Sequence, residues 1–369
     1  MVFTRNCAAA DYQRDDRSAE KAEALEAKEA QGQRDPASPK ALITQPSLQT
    51  RIVAFSPADY PTFTALWNEA YPELKRTELE MRLFDMSLAP KALPPRWMAE
   101  YEGSVAGFVA YELLKGEPSN EFKYQLHLFV SPEHRGKGIG SSLYEQVMAA
   151  SALTNASLVR AWTRQDREES LRFLAARGFA EEMRTFHSSL DSSAFDLSAL
   201  ERYLLRLEKY GYEFKRFDDL ATDPQRNPKT HELYCEVTLD IPAPEPPKLP
   251  SIKEFEEKIL RSPELFTAYF LALHQGHYVG LCILLPHGRA RRELYADTLG
   301  IKRAYRGRGI AQALSYTGIE YAKNHGYSLI SADSFVENHR IGALLDGLGF
   351  GNKTVWTLFS KSLKREGNA

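Results

Sequence analysis

Two short segments of this chain are one segment written twice. Arg135 to Gly140 reads RGKGIG and Arg306 to Ala311 reads RGRGIA, 306 − 135 = 171 positions apart. Gly178-Phe179 and Gly349-Phe350 stand at the same offset of 171, as do Tyr124 and Tyr295, and Val130 and Ile301. Several landmarks at one spacing require two copies of one folding unit, joined without insertion across this stretch. Two unrelated glycine-rich turns would not fix the outer landmarks as well. A length of 369 residues leaves room for two such units.

Each copy has the same order of elements. In the first, Arg51 to Phe55 is a strand and a helix carries Phe63, Leu66 and Trp67. Trp97 to Tyr101 and Ala106 to Leu113 form a hairpin turning at Glu102-Gly103, and Tyr124 to Val130 is a strand. The glycine-rich turn and a helix through Met148 follow, then a strand from Ala156 to Trp162 and a helix from Glu168 to Ala176 stopped by Gly178. In the second copy the strands are Tyr212 to Phe217, Tyr269 to His274, Tyr278 to Leu285, Glu293 to Ile301, Tyr327 to Ala332 and Val355 to Ser360. Helices are expected over Ser251 to Leu260, from the second glycine-rich turn to Lys323, and over Asn338 to Leu345. The expected fold class is α+β: two tandem domains, each a mixed, mostly antiparallel sheet flanked by helices. The first domain covers 50–195, a connecting helix 196–211 and the second domain 212–369. Pro242 to Pro250 holds five prolines and reads as a loop inside the second copy.

Residues 1–49 belong to neither copy. Ser18 to Gln31, SAEKAEALEAKEAQ, has one large apolar residue, Leu25, and hence no stripe to dock, and three prolines follow between Asp35 and Pro46. This stretch reads as a flexible tail or a mis-assigned start. Lys plus Arg number 47 against 49 Asp plus Glu, so no global field favours nucleic acid or an anionic membrane. No apolar run reaches the roughly 18 residues of a membrane span, and Met1 to Asp16 is too polar for a secretory leader. The three cysteines, Cys7, Cys235 and Cys282, form neither a disulfide framework nor a zinc site. A cytoplasmic setting follows, with no nucleic-acid or membrane partner.

The chemistry resides in the repeated turn. It follows a buried strand and opens an amphipathic helix. Glycines at 136, 138 and 140 allow a tight turn with successive amides pointing into one concavity. The free N–H groups and positive dipole end of the helix, with Arg135 and Lys137, complete a cradle for a phosphate or pyrophosphate. The second copy repeats it with Arg306, Gly307, Arg308 and Gly309. A dinucleotide-binding GxGxxG would follow the first strand of its unit, and no GxxxxGK[ST] is present.

The spacing Arg-x-x-Gly-x-Gly/Ala, with the Gly-Phe-ended helix, resembles the GNAT superfamily of acetyl-coenzyme A-dependent N-acyltransferases. The resemblance covers about Arg51 to Leu190 and Tyr212 to Leu363, and TLGIKRAYRGRGIAQAL (Thr298 to Leu314) is especially close. The tandem arrangement is similar to that of mycothiol synthase-like double-GNAT proteins. The resemblance implies that Arg135, Gly136, Lys137, Gly138, Ile139, Gly140 and Ser141 bind the coenzyme A pyrophosphate. It implies the same for Arg306, Gly307, Arg308, Gly309, Ile310, Ala311 and Gln312. Backbone groups near Leu128 and Val130, or Leu299 and Ile301, would hold the pantetheine arm and polarise the acetyl carbonyl. The implied reaction is direct attack of an amine on a thioester, which calls for no metal.

The chain also departs from that pattern. The tyrosine that many members use as general acid falls on Leu174 in one copy and Leu345 in the other. Asn338 matches an asparagine frequent at the start of that helix, whereas its counterpart, at 338 − 171 = 167, is Arg167. The second copy is therefore expected to be the active one. Glu293, Tyr295 and Asp297 alternate along the preceding strand and in an unbulged strand would share a face. Asp297, nearest the expected acetyl site, is either a base or a solvated, ion-paired carboxylate. In the first copy the candidates are Tyr124 and His127, the latter also readable as a structural histidine. The expected function is N-acetyl transfer from acetyl-CoA to a primary amine of a small molecule. A protein or peptide N-acetyltransferase and a non-catalytic acyl-CoA-binding module stay open, as does the oligomeric state.

Overall fold

The computed structural model describes residues 50–72, 75–87, 95–114, 122–153, 156–198, 200–243, 247–260, 268–287 and 292–363. The N-terminal stretch 1–49, with Cys7 and the expected tail, lies outside them.

The described residues pack as two compact units, one drawn from 50–113 and 126–153, the other from 114–125 and 156–363. In the first unit the elements run β1 (Thr50–Ala54), α1 (Tyr60–Ala70), α2 (Glu78–Ser87), β2 (Arg96–Tyr101), β3 (Ser104–Leu113), β4 (Phe122–Val130) and α3 (Ile139–Leu153). The strands lie in the order β1-β2-β3-β4. Phe63, Leu66 and Trp67 of α1 pack with Met98, Phe108 and Phe129. The apolar periodicity of α1 places those side chains on one face, and the alternation of β2 to β4 meets them. Beneath this core, Arg96 grips Asp85 through NH1 at 2.5 Å and NH2 at 2.7 Å, and the hydroxyl of Tyr60 donates to the same carboxylate at 2.5 Å.

The second unit contains β5 (Ala156–Arg164), α4 (Glu168–Ala175), β6 (Ala180–Asp191), α5 (Leu200–Glu208), β7 (Tyr212–Arg216), α6 (Arg226–Thr238) and α7 (Ile252–Leu260). Then come β8 (Tyr269–His274), β9 (His277–His287), β10 (Glu293–Ile301), α8 (Ile310–Asn324), β11 (Leu329–Phe335), α9 (His339–Gly347) and β12 (Gly351–Ser362). The mixed sheet with helices on both faces is the expected α+β class. Ile310, Ala313 and Leu314 of α8 and Leu345 and Leu348 of α9 share one core with Cys282, Leu284 and Leu294. Leu233 and Val237 of α6 pack on the opposite face, against Tyr269, Leu271, Leu281 and Ile283.

The strand order in this unit, β5-β12-β6-β11-β10-β9-β8-β7, differs from a simple tandem repeat. The closing strand of each copy pairs with the other copy. β12 runs antiparallel to β5, with Leu358 opposite Trp162, and β6 runs antiparallel to β11, with His187 opposite Asp333. The two exchanged strands meet at the centre, β12 against β6. Backbone ladders thus cross the sequence boundary expected near Asp191 to Asp196, so the packing units and the repeat units do not coincide. β6, which sequence patterning did not anticipate, is the element that makes the crossing. Its residues AEEMRTFHSSLD lack a clean apolar alternation, and their partners lie on both sides in exchanged strands.

The repeat also has two offsets. The hairpin turns Glu102-Gly103 (φ 49° and 81°) and Gln275-Gly276 (φ 50° and 77°) are conformationally alike but 275 − 102 = 173 positions apart. The span from the hairpin turn to the fourth strand is therefore two residues shorter in the second copy, and 171 holds only beyond it.

Candidate active site

The two glycine-rich turns are superimposable in their dihedrals. Arg135 has φ −67° and ψ 161°, and Arg306 has φ −69° and ψ 160°. Gly136 and Gly307 stand at φ 75° and 74°, Gly138 and Gly309 at 82° and 86°, a region that a side chain would strain. Each turn follows a 3₁₀ turn, Pro132–His134 or Arg303–Tyr305, and delivers a buried isoleucine, Ile139 or Ile310, as the first helical residue. The amide of Ala313 donates to the carbonyl of Gly309 at 3.1 Å as α8 begins. The amides of Ile310, Ala311 and Gln312 precede that bond and are first-turn donors. In the first copy Ser142 makes the equivalent bond to Gly138, and the amide of Ser141 also reaches Gly138, with Gly140 just before it.

The basic side chains of the turns are engaged within the protein. Arg135 donates Nε–H to the carbonyl of Val130 at 3.1 Å, and Arg306 does so to Ile301 at 2.9 Å. Arg303 and Arg306 both pair with Asp240, just beyond α6. Arg308 donates to the hydroxyl of Tyr212 at 3.1 Å and to the carbonyl of Ala304 at 3.0 Å. Lys137 lies 4.6 Å over the ring of Tyr101. The guanidinium groups brace the turns, and the backbone and helix end supply the anion-binding element. The copies differ at one point. The hydroxyl of Tyr203, from α5, stands where a Cβ on Gly309 would project, whereas among the described residues nothing lies within 4 Å of that position at Gly138.

Behind the second turn, β10 and β11 pair in parallel from Glu293–Leu329 to Ala296–Ala332 and then part. A bulge between Ala296 and Thr298 in the β9–β10 ladder bends β10 at that point. The parting leaves a cleft of about 540 Å³, open mouth included, between Ala296 and Leu299 of β10, Ser315 and Ile319 of α8, and Ile341 and Leu345 of α9. Asp333 of β11 is the one charged side chain among its described lining residues. Leu299 and Ile301 sit where β10 pairs with Cys282 and Gly280, at the rim of the parting. Cys282 also lines the cleft, and burial pushes its thiol up to about 12, far from a nucleophile's range.

A bulge interrupts the plain alternation of Glu293, Tyr295 and Asp297 between Ala296 and Thr298. The extra residue is Asp297 itself, which accepts a hydrogen bond from Thr298 Oγ1 at 2.8 Å. Burial, and secondarily the Asp297 charge, raises the phenol of Tyr234; burial, with the charges of Tyr234 and Asp297, raises that of Tyr269, so Asp297 lies on the α6 side of the sheet. Glu293 is buried. Tyr295 donates its hydroxyl to Asp333 Oδ2 at 3.1 Å. Asn338 is the N-cap of α9, its side chain accepting from the amide of Ile341 at 3.4 Å; Arg167 at the start of α4 makes no such cap. In the first copy, Tyr124 is buried and His127 is held between Tyr71 (2.9 Å) and Glu112 (3.4 Å), a satisfied histidine.

A model of the acetyltransferase (GNAT) family matches residues 60–179 and again 227–350. The chain belongs to the GNAT acetyltransferase family. As a tandem GNAT protein it is an acyltransferase, and the two matched stretches are the two copies of the repeat. A Bacillus subtilis protein provisionally named a phosphinothricin acetyltransferase is 27% identical over 112 residues, 30% of this chain and 69% of that protein. A GCN5-related N-acetyltransferase from Sphaerobacter thermophilus shares the fold at a TM-score of 0.63 and 17% identity, over 88% of this chain and 98% of that one. A tandem GNAT protein from the clavulanic acid biosynthesis pathway does so at 0.60 and 17%, over 86% of this chain and all, 100%, of that one.

In the second copy the α9 position expected to carry a proton-donating tyrosine is Leu345, buried in the cleft wall. Sequence reasoning passed over Asp333, which lines the same cleft, and its partner His187. An aspartate inside the apolar strand LISADSF is a signal that could have been read. His187 carried no local signal, since its partner is set by the strand exchange. Among the described residues, no cluster of metal-ligating side chains occurs and no helix is long and apolar enough to cross a membrane.

Proposed function

We propose that the chain transfers an acetyl group from acetyl-coenzyme A to a primary amine of a small molecule, in the second-copy cleft. The observation that carries this reading is that one helix, α8, begins at the glycine-rich turn and lines, through Ser315 and Ile319, the apolar cleft where β10 and β11 part. The donors and walls fit the two ends of such a molecule. The amides of Ile310, Ala311 and Gln312 would take the pyrophosphate, and Ala296, Leu299, Ile319 and Ile341 would flank the uncharged pantetheine arm. Peptide groups of β10 near Leu299 and Ile301 would orient the thioester carbonyl. When bound, acetyl-CoA supplies an activated acyl carbon that an amine attacks directly. Asp297, on the α6 side of the bulge, is placed to draw a proton from an incoming ammonium group. A cytoplasmic setting belongs to this reading and rests on the sparse cysteines.

Isothermal calorimetry with acetyl-CoA, together with thiol release in the presence of a panel of primary amines, tests it. Wild type is expected to bind and turn over. Gly309→Glu, which sets charge and bulk in the second turn, is expected to abolish turnover, and Gly138→Glu to leave it. Loss of turnover from Gly138→Glu alone would reverse the assignment of the active copy.

A further inference from the structure

We propose that His187 and Asp333 are the proton-handling pair of the second-copy site, the histidine being supplied by the first copy through the exchanged strand β6. The inference rests on the acetyl-transfer reading above and names the groups that move its proton.

Asp333 is 4% exposed, and a carboxylate at that depth persists only with partners. Its partners include His187, whose Nδ1 lies 2.8 Å from Oδ1, and Tyr295, whose hydroxyl donates to Oδ2 at 3.1 Å. Phe186 and Leu190 belong to the core beneath α8 and α9, so by strand alternation His187 points to the opposite face of the sheet. Asp333 lies just past the last parallel pair, Ala296–Ala332, where the strands part, and it lines the cleft. The gap therefore joins the apolar cleft on one side to a polar cluster on the other. Two positions back on β11, the buried hydroxyl of Ser331 has no hydrogen-bond partner among the described residues, an unmet polar group on the same face of the strand. His187 is 19% exposed at its side chain, so the ring is reachable.

The pseudo-symmetry of the exchange supplies a control within the molecule. The position equivalent to Asp333 is 333 − 171 = 162, and that equivalent to His187 is 187 + 171 = 358. Trp162 and Leu358 are indeed opposite each other in the β5–β12 ladder, as Asp333 and His187 are in the β11–β6 ladder. A pairing needed only to hold exchanged strands together is met there by apolar side chains. The ionisable pair occurs beside the second-copy cleft alone.

A carboxylate that accepts Nδ1–H leaves Nε2 with its lone pair, the arrangement that makes an imidazole a base and then an acid. In the transfer, the amine nitrogen forms a bond to the acyl carbon, the carbon–sulfur bond breaks with its electron pair on sulfur, and the proton leaving nitrogen passes through His187 to the thiolate. No further reactant is required. Tyr295 acts as a positioning residue through Asp333. Among the described residues, His187 is paired with Asp333 and, behind it, Tyr295; Glu293 and Asp297 lie on the same face of β10, and His287 packs 6.0 Å from the Tyr295 ring. On β12 its partner is Thr354. Further along these strands Arg184 is paired with Glu181 and Glu337, and Lys353 with Asp346.

The test uses the full chain with acetyl-CoA and the primary amine that wild type turns over fastest. In His187→Gln, kcat is expected to fall on the order of 10²–10⁴-fold, with acetyl-CoA affinity by calorimetry within about twofold of wild type. The limb of the kcat–pH profile that reports the catalytic base should disappear. His187→Ala should recover activity with added imidazole, a readout that a purely structural role would not give. Tyr295→Phe should lower kcat by about tenfold without removing the limb. Unchanged kcat and pH profile in His187→Gln would overturn the proposal, as would a parallel loss of acetyl-CoA binding and of the melting transition with no imidazole rescue. Failure of wild type to bind acetyl-CoA would overturn the reading of the cleft, and this inference with it.

Discussion

Arg306 donates its Nε–H to the carbonyl oxygen of Ile301 at 2.9 Å, tying the start of the glycine-rich turn to the end of the strand before it. Arg135 makes the same bond to Val130 in the other copy. The guanidinium plane lets Arg306 hold this carbonyl and Asp240 together, which an ammonium cannot do in the same geometry. Arg306→Gln and Arg306→Lys are therefore both expected to lower unfolding free energy by about 1–2 kcal/mol in urea titrations. Full retention of stability by the lysine variant would show the fork geometry to be dispensable.

Asp240 gives the turn a pH-dependent brace. Hydrogen bonds from Arg303 and then Arg306, with their charges, hold its carboxyl below the usual carboxylate range, against the opposing effect of its burial. A folded value below the unfolded one, about 3.9, stabilises the fold above that pH and ceases to do so as pH falls through the folded value. The difference in urea midpoint between wild type and Asp240→Asn should be constant from pH 7 to 5 and shrink below about pH 4. A difference that persists unchanged at pH 3 would exclude the ion pairs as its source.

Alanine at Gly138 and at Gly309 should not cost the same. Both positions have φ above 80°, which costs an L-residue about 1–2 kcal/mol. Gly309 carries the further conflict with the Tyr203 hydroxyl, whose ring is held against Tyr316 and Arg206. Gly309→Ala is expected to be the more destabilising by about 1 kcal/mol, and Tyr203→Ala in the same chain should remove that excess in a double-mutant cycle. Equal costs at the two glycines would contradict the placement of Tyr203.

In the first unit, Asp85 is 7% exposed and accepts from both Arg96 nitrogens and from Tyr60, while Arg96 also lies 4.7 Å over the Phe63 ring. Asp85→Ala leaves a buried guanidinium without its counter-charge and is expected to cost about 3–5 kcal/mol in chemical denaturation. Burial first, and then Asp85, raises the Tyr60 phenol. A spectrophotometric titration of Asp85→Asn should accordingly find that phenol ionising at lower pH than in wild type.

What could be read in the sequence was local. The hairpin dipeptides Glu102-Gly103 and Gln275-Gly276 predict their own left-handed backbone, and the structure has it. Asn338 reads as the start of a helix and caps α9. The bulge at Asp297 was not legible in the sequence, because a bulge depends on the partner strand as well as on the strand that carries it. α6, RNPKTHELYCEVT, escaped notice because its apolar residues form no continuous stripe; packing of Leu233 and Val237 on the sheet holds it.

The sequence by itself determined that one folding unit occurs twice, which class it belongs to, and where each glycine-rich turn lies. Those properties follow from backbone sterics and periodicity, which act over a few residues at a time. Only the tertiary structure decided which copy each closing strand completes. The pairing of β6 with β11 and of β12 with β5 depends on hydrogen bonds between residues over a hundred positions apart, such as His187 and Asp333, 146 apart. No local propensity distinguishes an exchanged strand from a returned one, because both satisfy the same backbone donors and acceptors.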